Sequence, residues 1–367
     1  MIRSDIIPIE EKNRKNNVLN NDNLLYKTIS KKFMIFLCII IVFNFTSYCY
    51  YSHRKLNLYK KDISPSNESN NDINFDFANY EKNIITKKVI DKAGWQMSLE
   101  TAYFLNGIIR KFKPKKCLEI GVANGGSSIL ILNAIKDIDN SFLVSLDLNT
   151  KMYLKSGLKT GYRVKKYFPE LSQKWRLFTG DLPHKFLTQL NETFDFFFLD
   201  SAHLAPGELL NFIEALPFLK EKAIMILHDI LWHFWSSIKI YPSNVYLFPN
   251  IRGEKILLSN NKRGFGNIGG IILYPNQNKY YLDYFLLLLG FWEYLPPDSQ
   301  INDMKKFIQK YYKNSLFLQI FQKAINLNNK SIQKQLNSTY DIINYRYKRF
   351  MKSLGGNTKN MEKKARL

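Results

Sequence analysis

Between residues 92 and 229 the chain alternates short apolar runs with longer segments of helical periodicity. The apolar runs are 117–120, 142–147, 175–181, 194–200 and 223–229, and a later run, 265–274, has the pattern of one strand of a terminal hairpin. The helical segments are 98–112, 152–168, 184–190 and 206–219. Apolar strands separated by helices predict an α/β fold in which a doubly wound, mostly parallel sheet is covered on both faces.

A glycine-rich turn follows the first apolar run, in the segment 117-CLEIGVANGGSS-128. Glycine permits backbone torsions and close approaches that other residues forbid, so a strand, this turn and a helix start would form a ligand cradle. A dinucleotide cradle has the spacing G-x-G-x-x-G and binds phosphate at the helix start. Here the spacing is G-x-x-x-G-G after an acid, Glu119. That acid would repel a pyrophosphate, so the turn favours a cationic nucleoside ligand such as S-adenosylmethionine.

Three carboxylates stand at the ends of successive predicted strands, namely Glu119, Asp147 and Asp181. Open parallel sheets bind ligands at the carboxyl ends of their strands. A single acid in such a place is often only a helix cap. Three at consecutive strand ends, together with the glycine turn, favour a ligand site.

Residues 98–274 resemble class I S-adenosylmethionine-dependent methyltransferases, and among them the branch of caffeoyl-CoA, macrocin and cephalosporin-cluster O-methyltransferase-like proteins. The segments that carry the resemblance are 118-LEIGVANGGSS-128, 144-VSLDLN-149, 179-TGD-181, 196-FFFLDSAH-203 and 226-ILHDILW-232. The resemblance implies a Rossmann-like, seven-stranded methyltransferase sheet. It also implies that the methyl donor, S-adenosyl-L-methionine, is bound by Glu119, Gly121, Gly125, Gly126, Ser127, Asp147 and Asp181. Within that set, Asp147 would hold the ribose hydroxyls and Asp181 would lie near the adenine.

Four polar residues end the fourth and fifth predicted strands, Asp200 and His203 on one and His228 and Asp229 on the other. Neighbouring strands would bring them together beside the transferred methyl group, and we take Asp200, His203 and His228 as candidate catalytic residues. In one mechanism, Asp200, His228 and Asp229 hold Mg²⁺ or another divalent cation that acidifies an acceptor hydroxyl. In the other, His203 or His228 is a general base without a metal. Related cation-dependent enzymes have acids at the positions of Asp200 and Asp229, but some carry a third acid where this chain has His228.

The remainder of the chain differs in character from this unit. Residues 33–51 carry no charge and match the thickness of a bilayer core, so we predict a single transmembrane anchor. The segments that we predict are a disordered segment 1–32, the anchor 33–51, a linker 52–80, a methyltransferase domain 81–280, a basic helical extension 281–352 and a disordered tail 353–367. The extension has the pattern either of a cap on the core or of a helix at a membrane surface.

The formal net charge of +22 indicates contact with an anionic surface or substrate, or only a genome rich in Lys and Asn codons. No nucleic-acid-binding signature is present, so we predict no nucleic-acid partner. Together with the anchor, this charge favours an acceptor hydroxyl on a surface glycan, a lipid-linked sugar or a small molecule. The sequence also allows a homo-oligomer. The methyl donor is made in the cytosol, so we expect a single-pass membrane protein with a cytoplasmic catalytic domain.

Two other functions remain open at the level of sequence. A nucleotide- or nicotinamide-binding Rossmann-type enzyme would need a glycine loop that accepts phosphate. A catalytically inactive, membrane-tethered binding protein would keep the sheet but lose the polar residues at the ends of the fourth and fifth strands.

Overall fold

The structure, a computed structural model, describes residues 87–94, 97–152, 157–231, 243–260 and 264–333. The predicted anchor, residues 33–51, lies outside these ranges and stays a prediction. Within them, no helix combines the length and the apolar character that crossing a membrane requires.

The described ranges contain seven strands and ten α-helices. The strands are β1 (Lys116–Ile120), β2 (Phe142–Asp147), β3 (Trp175–Thr179), β4 (Phe194–Leu199), β5 (Leu219–His228), β6 (Gly253–Asn260) and β7 (Gly264–Leu273). The helices are α1 (Lys87–Ala93), α2 (Leu99–Phe112), α3 (Gly126–Ile135), α4 (Tyr162–Tyr167), α5 (Pro183–Leu190), α6 (Gly207–Ala215), α7 (Asn244–Asn250), α8 (Tyr281–Leu286), α9 (Asp298–Tyr312) and α10 (Ser315–Gln333).

All seven strands belong to one sheet, in the order β3-β2-β1-β4-β5-β7-β6. The first five run parallel, and β7 lies antiparallel between β5 and β6. This is the Rossmann-like, seven-stranded, mostly parallel sheet that the sequence predicted, so that part of the predicted fold class is confirmed.

The sheet is covered on both faces because its central strands are apolar on both sides. On β4, Phe196 and Phe198 pack into one buried cluster with α2 and α3, whereas Phe197 packs into the cluster on the opposite face. All three rings have no solvent exposure. A strand whose apolar side chains are buried on both faces is typical of the centre of a parallel sheet.

The register of the sheet places four strand ends at one edge. Ile120 of β1 pairs with Leu146 of β2 and with Leu199 of β4, and Leu199 pairs with Leu227 of β5. The residues that follow these positions therefore emerge together, and the predicted site residues are among them.

The described part of the C-terminal extension packs on the core as a helical cap. Phe307 of α9 and Phe321 of α10 are buried in the same cluster as α6 and β4. The buried hydroxyl of Tyr312 donates a hydrogen bond of 2.6 Å to the carbonyl of Ile213 in α6. The sequence allowed either a cap on the core or a helix at a membrane surface. Up to residue 333, the last described residue, the extension forms a cap on the core.

One predicted element was wrong, and one strand was missed. The helix expected over 152–168 is shorter, because Gly157 and Gly161 have positive φ angles, and α4 begins only at Tyr162. Strand β6 was not predicted, because its sequence GEKILLSN contains a lysine and an acid and does not read as an apolar run. It is the antiparallel partner of β7 at the edge of the sheet.

Candidate active site

The glycine turn between β1 and α3 can be formed only by a chain that lacks side chains at two positions. Gly121 has φ +92°, and a Cβ atom there would lie 1.9 Å from the carbonyl oxygen of Asp200. A Cβ atom on Gly126 would lie 2.5 Å from the carbonyl oxygen of Ala93 in α1. Both distances are far below van der Waals contact, so these glycines are required by close packing against β4 and α1. Gly125, with φ +92°, precedes α3 as its N-cap residue.

Glu119 lies under this turn with no solvent exposure. Its carboxylate accepts hydrogen bonds from the hydroxyls of Ser127 at 2.5 Å, Ser128 at 2.6 Å and Ser145 at 2.6 Å. Burial raises the pKa of Glu119 to about 7, although the three hydroxyls oppose the rise. In the structure Glu119 therefore joins the start of α3 to β2. The donor-binding roles of Glu119 and Ser127 stay predictions.

Asp147 ends β2 and lies against the glycine turn. Its Oδ2 atom accepts hydrogen bonds from the backbone amides of Val122 at 2.9 Å and Ala123 at 3.0 Å. Its Oδ1 atom accepts one from the amide of Asn149 at 2.8 Å. These hydrogen bonds hold the glycine turn in shape. The carboxylate is only half-buried, so part of it is accessible to a ligand, and the resemblance implies that this ligand is the donor ribose.

Asp181 lies just beyond the end of β3, at the edge of the sheet. Its Oδ1 atom lies 2.9 Å from Nζ of Lys185, which also pairs with Asp303 of α9. The structure thus links Asp181 to the extension indirectly, through Lys185 of α5, and its predicted place near the adenine is untested.

Four predicted residues at or just beyond the ends of β4 and β5 converge on one site. Nε2 of His203 is 3.4 Å from Oδ1 of Asp200, and Nδ1 of His203 is 3.5 Å from Oδ2 of Asp229. Nδ1 of His228 is 3.2 Å from Oδ2 of Asp200 and 3.5 Å from Oδ1 of Asp229. We call Asp200, His203, His228 and Asp229 the polar cluster.

The backbone has to bend sharply to bring the polar cluster together. His203 has φ +52° and Asp229 has φ +58°, and both values are uncommon for residues other than glycine. Such torsions persist only where the surrounding structure enforces them, and they are frequent at functional sites. Here they turn two side chains toward the strand edge beside the glycine turn.

Three residues that the sequence did not indicate hold the polar cluster in place. Glu208 at the start of α6 has no solvent exposure, and its Oε1 atom is 3.1 Å from Nδ1 of His203. Asn267 of β7 donates a hydrogen bond to Oδ1 of Asp229. Asn244 of α7 donates one of 2.8 Å to the carbonyl of His228. Glu208 was detectable only as an acid five residues after His203, which is too weak a signal without the fold.

The electrostatics of the cluster favour charged histidines. Burial lowers the pKa of His203, but Asp229, Glu208 and Asp200 raise it overall to about 10. Burial likewise lowers the pKa of His228, and Asp229 and Asp200 raise it to about 9. Burial raises the pKa of Asp200, but the two histidines bring it below its ordinary value.

Asp200, His203 and Asp229 offer ligand atoms that all lie within 4.8 Å of one another. The predicted metal set contained His228 in place of His203, and the left-handed torsion of His203 explains why the sequence pattern did not select it. Among the described residues, Oδ1 of Asp200 is buried and accepts no hydrogen bond. A buried oxygen without a donor, with a second carboxylate and an imidazole nearby, is a donor set that fits a divalent cation.

Residues 118–230 match the family model described as a methyltransferase domain. No curated protein matches the chain.

Several solved structures are similar to this chain, among them the following three. One is the O-methyltransferase TomG from Streptomyces achromogenes, in complex with SAM, at 14% identity and TM-score 0.40, covering 54% of this chain and 95% of its own. Another is an O-methyltransferase from Bacillus cereus, in complex with SAH, at 16% identity and TM-score 0.39, covering 53% and 96%. The third is the SAH-bound methyltransferase PaMTH1 from Podospora anserina, at 18% identity and TM-score 0.39, covering 57% and 99%.

The family match spans the glycine turn, Asp147 and the whole polar cluster, and the sheet around them has the strand order described above. Residues 118–230 of this chain therefore form a methyltransferase domain, which confirms the resemblance and the enzyme class that the sequence predicted.

Proposed function

We propose that this chain is an S-adenosylmethionine-dependent O-methyltransferase that acts on a hydroxyl group. Methyl transfer to oxygen needs a donor site, an acceptor site directly beside it and a means of removing one proton. Each of these requirements has a counterpart among the described residues at the ends of β1, β2, β4 and β5.

One observation carries the proposal, namely that the glycine turn and the polar cluster are in direct contact. The amide of Asp200 donates a hydrogen bond of 3.1 Å to the carbonyl of Ile120, the residue just before Gly121. A ligand held by the turn and Asp147 would therefore lie next to the side chains of Asp200 and His203. A nicotinamide enzyme would need a phosphate cradle at the same turn, where Glu119 is buried instead.

We further propose that a divalent cation belongs to the polar cluster and is held by Asp200, Asp229 and His203, with His228 beside them. The chemistry that such a cation supplies when bound is a lowered pKa for an acceptor hydroxyl. Asp229 is fixed by Asn267, and His203 is fixed by Glu208. Ligands that are oriented by outer partners in this way are typical of metal sites.

A histidine base without a metal is the second mechanism, and the short distances within the polar cluster keep it open. In that mechanism His203 or His228 takes the acceptor proton at a ring nitrogen, and Asp200 and Asp229 orient the two rings. The histidine that acts as the base would have to be neutral before it accepts a proton, and the carboxylates around both rings favour the charged form.

The membrane anchor and the acceptor class are part of the proposal. Residues 33–51 would hold the chain in a membrane as a single-pass protein, with the catalytic domain on the cytoplasmic side, where the methyl donor is made. A glycan or lipid-linked hydroxyl compound would then be within reach. The net charge of +22 supports an acceptor near an anionic surface.

An untargeted comparison tests this function without a presumed acceptor. Membranes and soluble extract from cells that lack the chain are incubated with the full-length protein and S-adenosylmethionine that carries an isotopically labelled methyl group. We expect label in a hydroxyl-bearing membrane compound, and none with Asp200→Asn. Label confined to amines or nucleic acid would contradict the proposal.

A further inference from the structure

Three cationic side chains surround one aromatic ring on the face formed by α1 and α4. Nζ of Lys92, Cζ of Arg163 and Nζ of Lys166 lie 4.9, 5.9 and 5.2 Å from the ring centroid of Tyr167. The three charges therefore lie roughly within one Debye length, about 10 Å, of one another and repel. We call these four residues the Tyr167 cluster.

Carboxylates do not balance this charge. In the part of the chain that the structure describes, the ion pairs lie elsewhere, and none involves Lys92, Arg163 or Lys166. Helices α1 and α4 together contain six Lys or Arg residues and one acid, Asp91. The Nε atom of Arg163 is also buried without a hydrogen-bond acceptor. The ring of Tyr167 compensates the charges only in part, since a cation–π contact at an exposed site is weak.

The Tyr167 cluster is attached to the glycine turn by main-chain hydrogen bonds. The amide of Gly161, just before α4, donates to the carbonyl of Ala123 at 2.8 Å. The amide of Arg163 donates to the carbonyl of Asn124 at 3.1 Å, and its Nη1 atom donates to the carbonyl of Lys92 at 2.8 Å. The cluster is therefore held in a defined place beside the donor turn and outside the polar cluster.

We propose that the Tyr167 cluster binds the phosphate headgroups of an anionic lipid surface. Basic residues bind such headgroups by charge, and tyrosine is favoured at the membrane interface. The proposal depends on the proposed function in one respect: the predicted anchor precedes α1 in the chain, separated from it by residues 52–86, and so brings lipid within reach. Two helices of seven and six residues offer a small face, which suits headgroups better than an extended polyanion.

The test measures lysine protection in the full-length chain, kept in a neutral detergent and titrated with short-chain phosphatidylglycerol. The reactivity of each lysine toward an acylating reagent is read by mass spectrometry. Lys92 and Lys166 should lose reactivity, whereas Lys306 and Lys310 of α9 should keep theirs. Lys310 is a matched control because, among the described residues, it is the one cation over the ring of Tyr311, at 5.2 Å. Equal protection of all four lysines, or of none, overturns the proposal.

Two further arms identify the source of the anion. The zwitterionic lipid phosphatidylcholine, with the same chains, should protect neither Lys92 nor Lys166. Inorganic phosphate at the same concentration should also leave both reactive; protection by phosphate would assign a free-anion site and overturn the lipid surface.

A double variant, Lys92→Gln with Lys166→Gln, tests whether the charges themselves bind the lipid. Lys88 and Lys165, which are exposed on the same two helices, then report binding. The lipid concentration at half-protection should rise about fivefold for each lysine removed. The control Lys306→Gln with Lys310→Gln should leave it unchanged, and an equal rise in the two variants would contradict the proposal. Because no methyl donor enters the measurement, its failure is distinguishable from failure of the methyltransferase function.

Discussion

The amide of Asp200 donates a hydrogen bond to the carbonyl of Ile120, which extends the pairing of β4 with β1 by one residue. The carbonyl oxygen of the same Asp200 lies 1.9 Å from the position that a Cβ atom on Gly121 would take. The turn proposed for the methyl donor and the residue proposed for the acceptor site therefore cannot move independently. A substitution that displaces the backbone at Gly121 should therefore also displace the backbone at Asp200.

The substitution Gly121→Ala tests this coupling. The added Cβ atom would lie 1.9 Å from a backbone oxygen, in addition to the strain of φ +92°. We expect a loss of unfolding free energy above about 3 kcal/mol, since a backbone atom must move. Chemical denaturation measures it.

Gly157→Ala is the matched control. Gly157 has nearly the same torsion, φ +93°, but among the described residues a Cβ atom there would have no neighbour within 4 Å. The loss of unfolding free energy in this variant should come from torsional strain alone, about 1–2 kcal/mol. Equal costs at the two positions would show that packing against Asp200 does not matter.

Glu119 should make stability depend on pH. Its pKa is raised from 4.5 to about 7, so the folded state holds this proton more tightly than the unfolded state does. The stabilisation is complete below about pH 4.5 and is lost as the pH rises to about 7, a change of about 3 kcal/mol.

Glu119→Gln removes this titration while keeping a similar shape. The difference in unfolding free energy between wild type and variant, measured by denaturation from pH 4.5 to 8, should change by that amount in favour of the variant as the pH rises. Parallel curves would mean that Glu119 is ionised throughout. Asp139→Asn, at an exposed acid, is the control variant.

The sequence predicted the parts of the site that strand periodicity reveals. Glu119, Asp147 and Asp200 were placed at or beside strand ends because each follows an apolar run, and the sheet register brings those ends together. The sequence also predicted His203 in the polar cluster, but not among the candidate metal ligands, because its orientation depends on a positive φ that no local pattern in this segment specifies.

Other features were out of reach because they come from tertiary contacts. Glu208 follows His203 by five residues and contacts it from the start of α6. Asn267 is 38 residues from Asp229 along the chain and contacts it only because β7 pairs with β5. The burial of Glu119 under three serines follows from how β2 and α3 pack, since Ser145 and Ser128 belong to different elements.

Tyr312→Phe should show that the extension is part of the fold. The hydroxyl of Tyr312 is buried and satisfies the carbonyl of Ile213 in α6. Its removal leaves that carbonyl without a partner, which costs about 1–3 kcal/mol. The neighbouring variant Tyr311→Phe breaks a longer contact, 3.3 Å to Thr188, and should cost less. Denaturation curves that rank the two variants in the opposite order would contradict the packing.

Asp229→Asn should separate cation binding from donor binding. Asp229 offers one of the three ligand atoms of the proposed cation site, whereas Asp147 and the glycine turn lie on β1 and β2. Electron paramagnetic resonance with Mn²⁺ should show affinity reduced by tenfold or more, about 1.4 kcal/mol, while the affinity for S-adenosylmethionine changes little. Asp283→Asn, at an exposed acid paired with Arg252, is the control. Unchanged Mn²⁺ binding in Asp229→Asn would contradict the proposed cation site and would favour the histidine base without a metal.

The most direct test of the central claim is calorimetry of the full-length chain with S-adenosylmethionine. We predict micromolar binding, roughly −8 kcal/mol, for the donor and for its demethylated product. Asp147→Asn should weaken both, because the carboxylate that shapes the turn is the predicted ribose acceptor, and Asp139→Asn should not. Absence of binding, or tighter binding of NAD, would contradict the assignment of this site to methyl transfer.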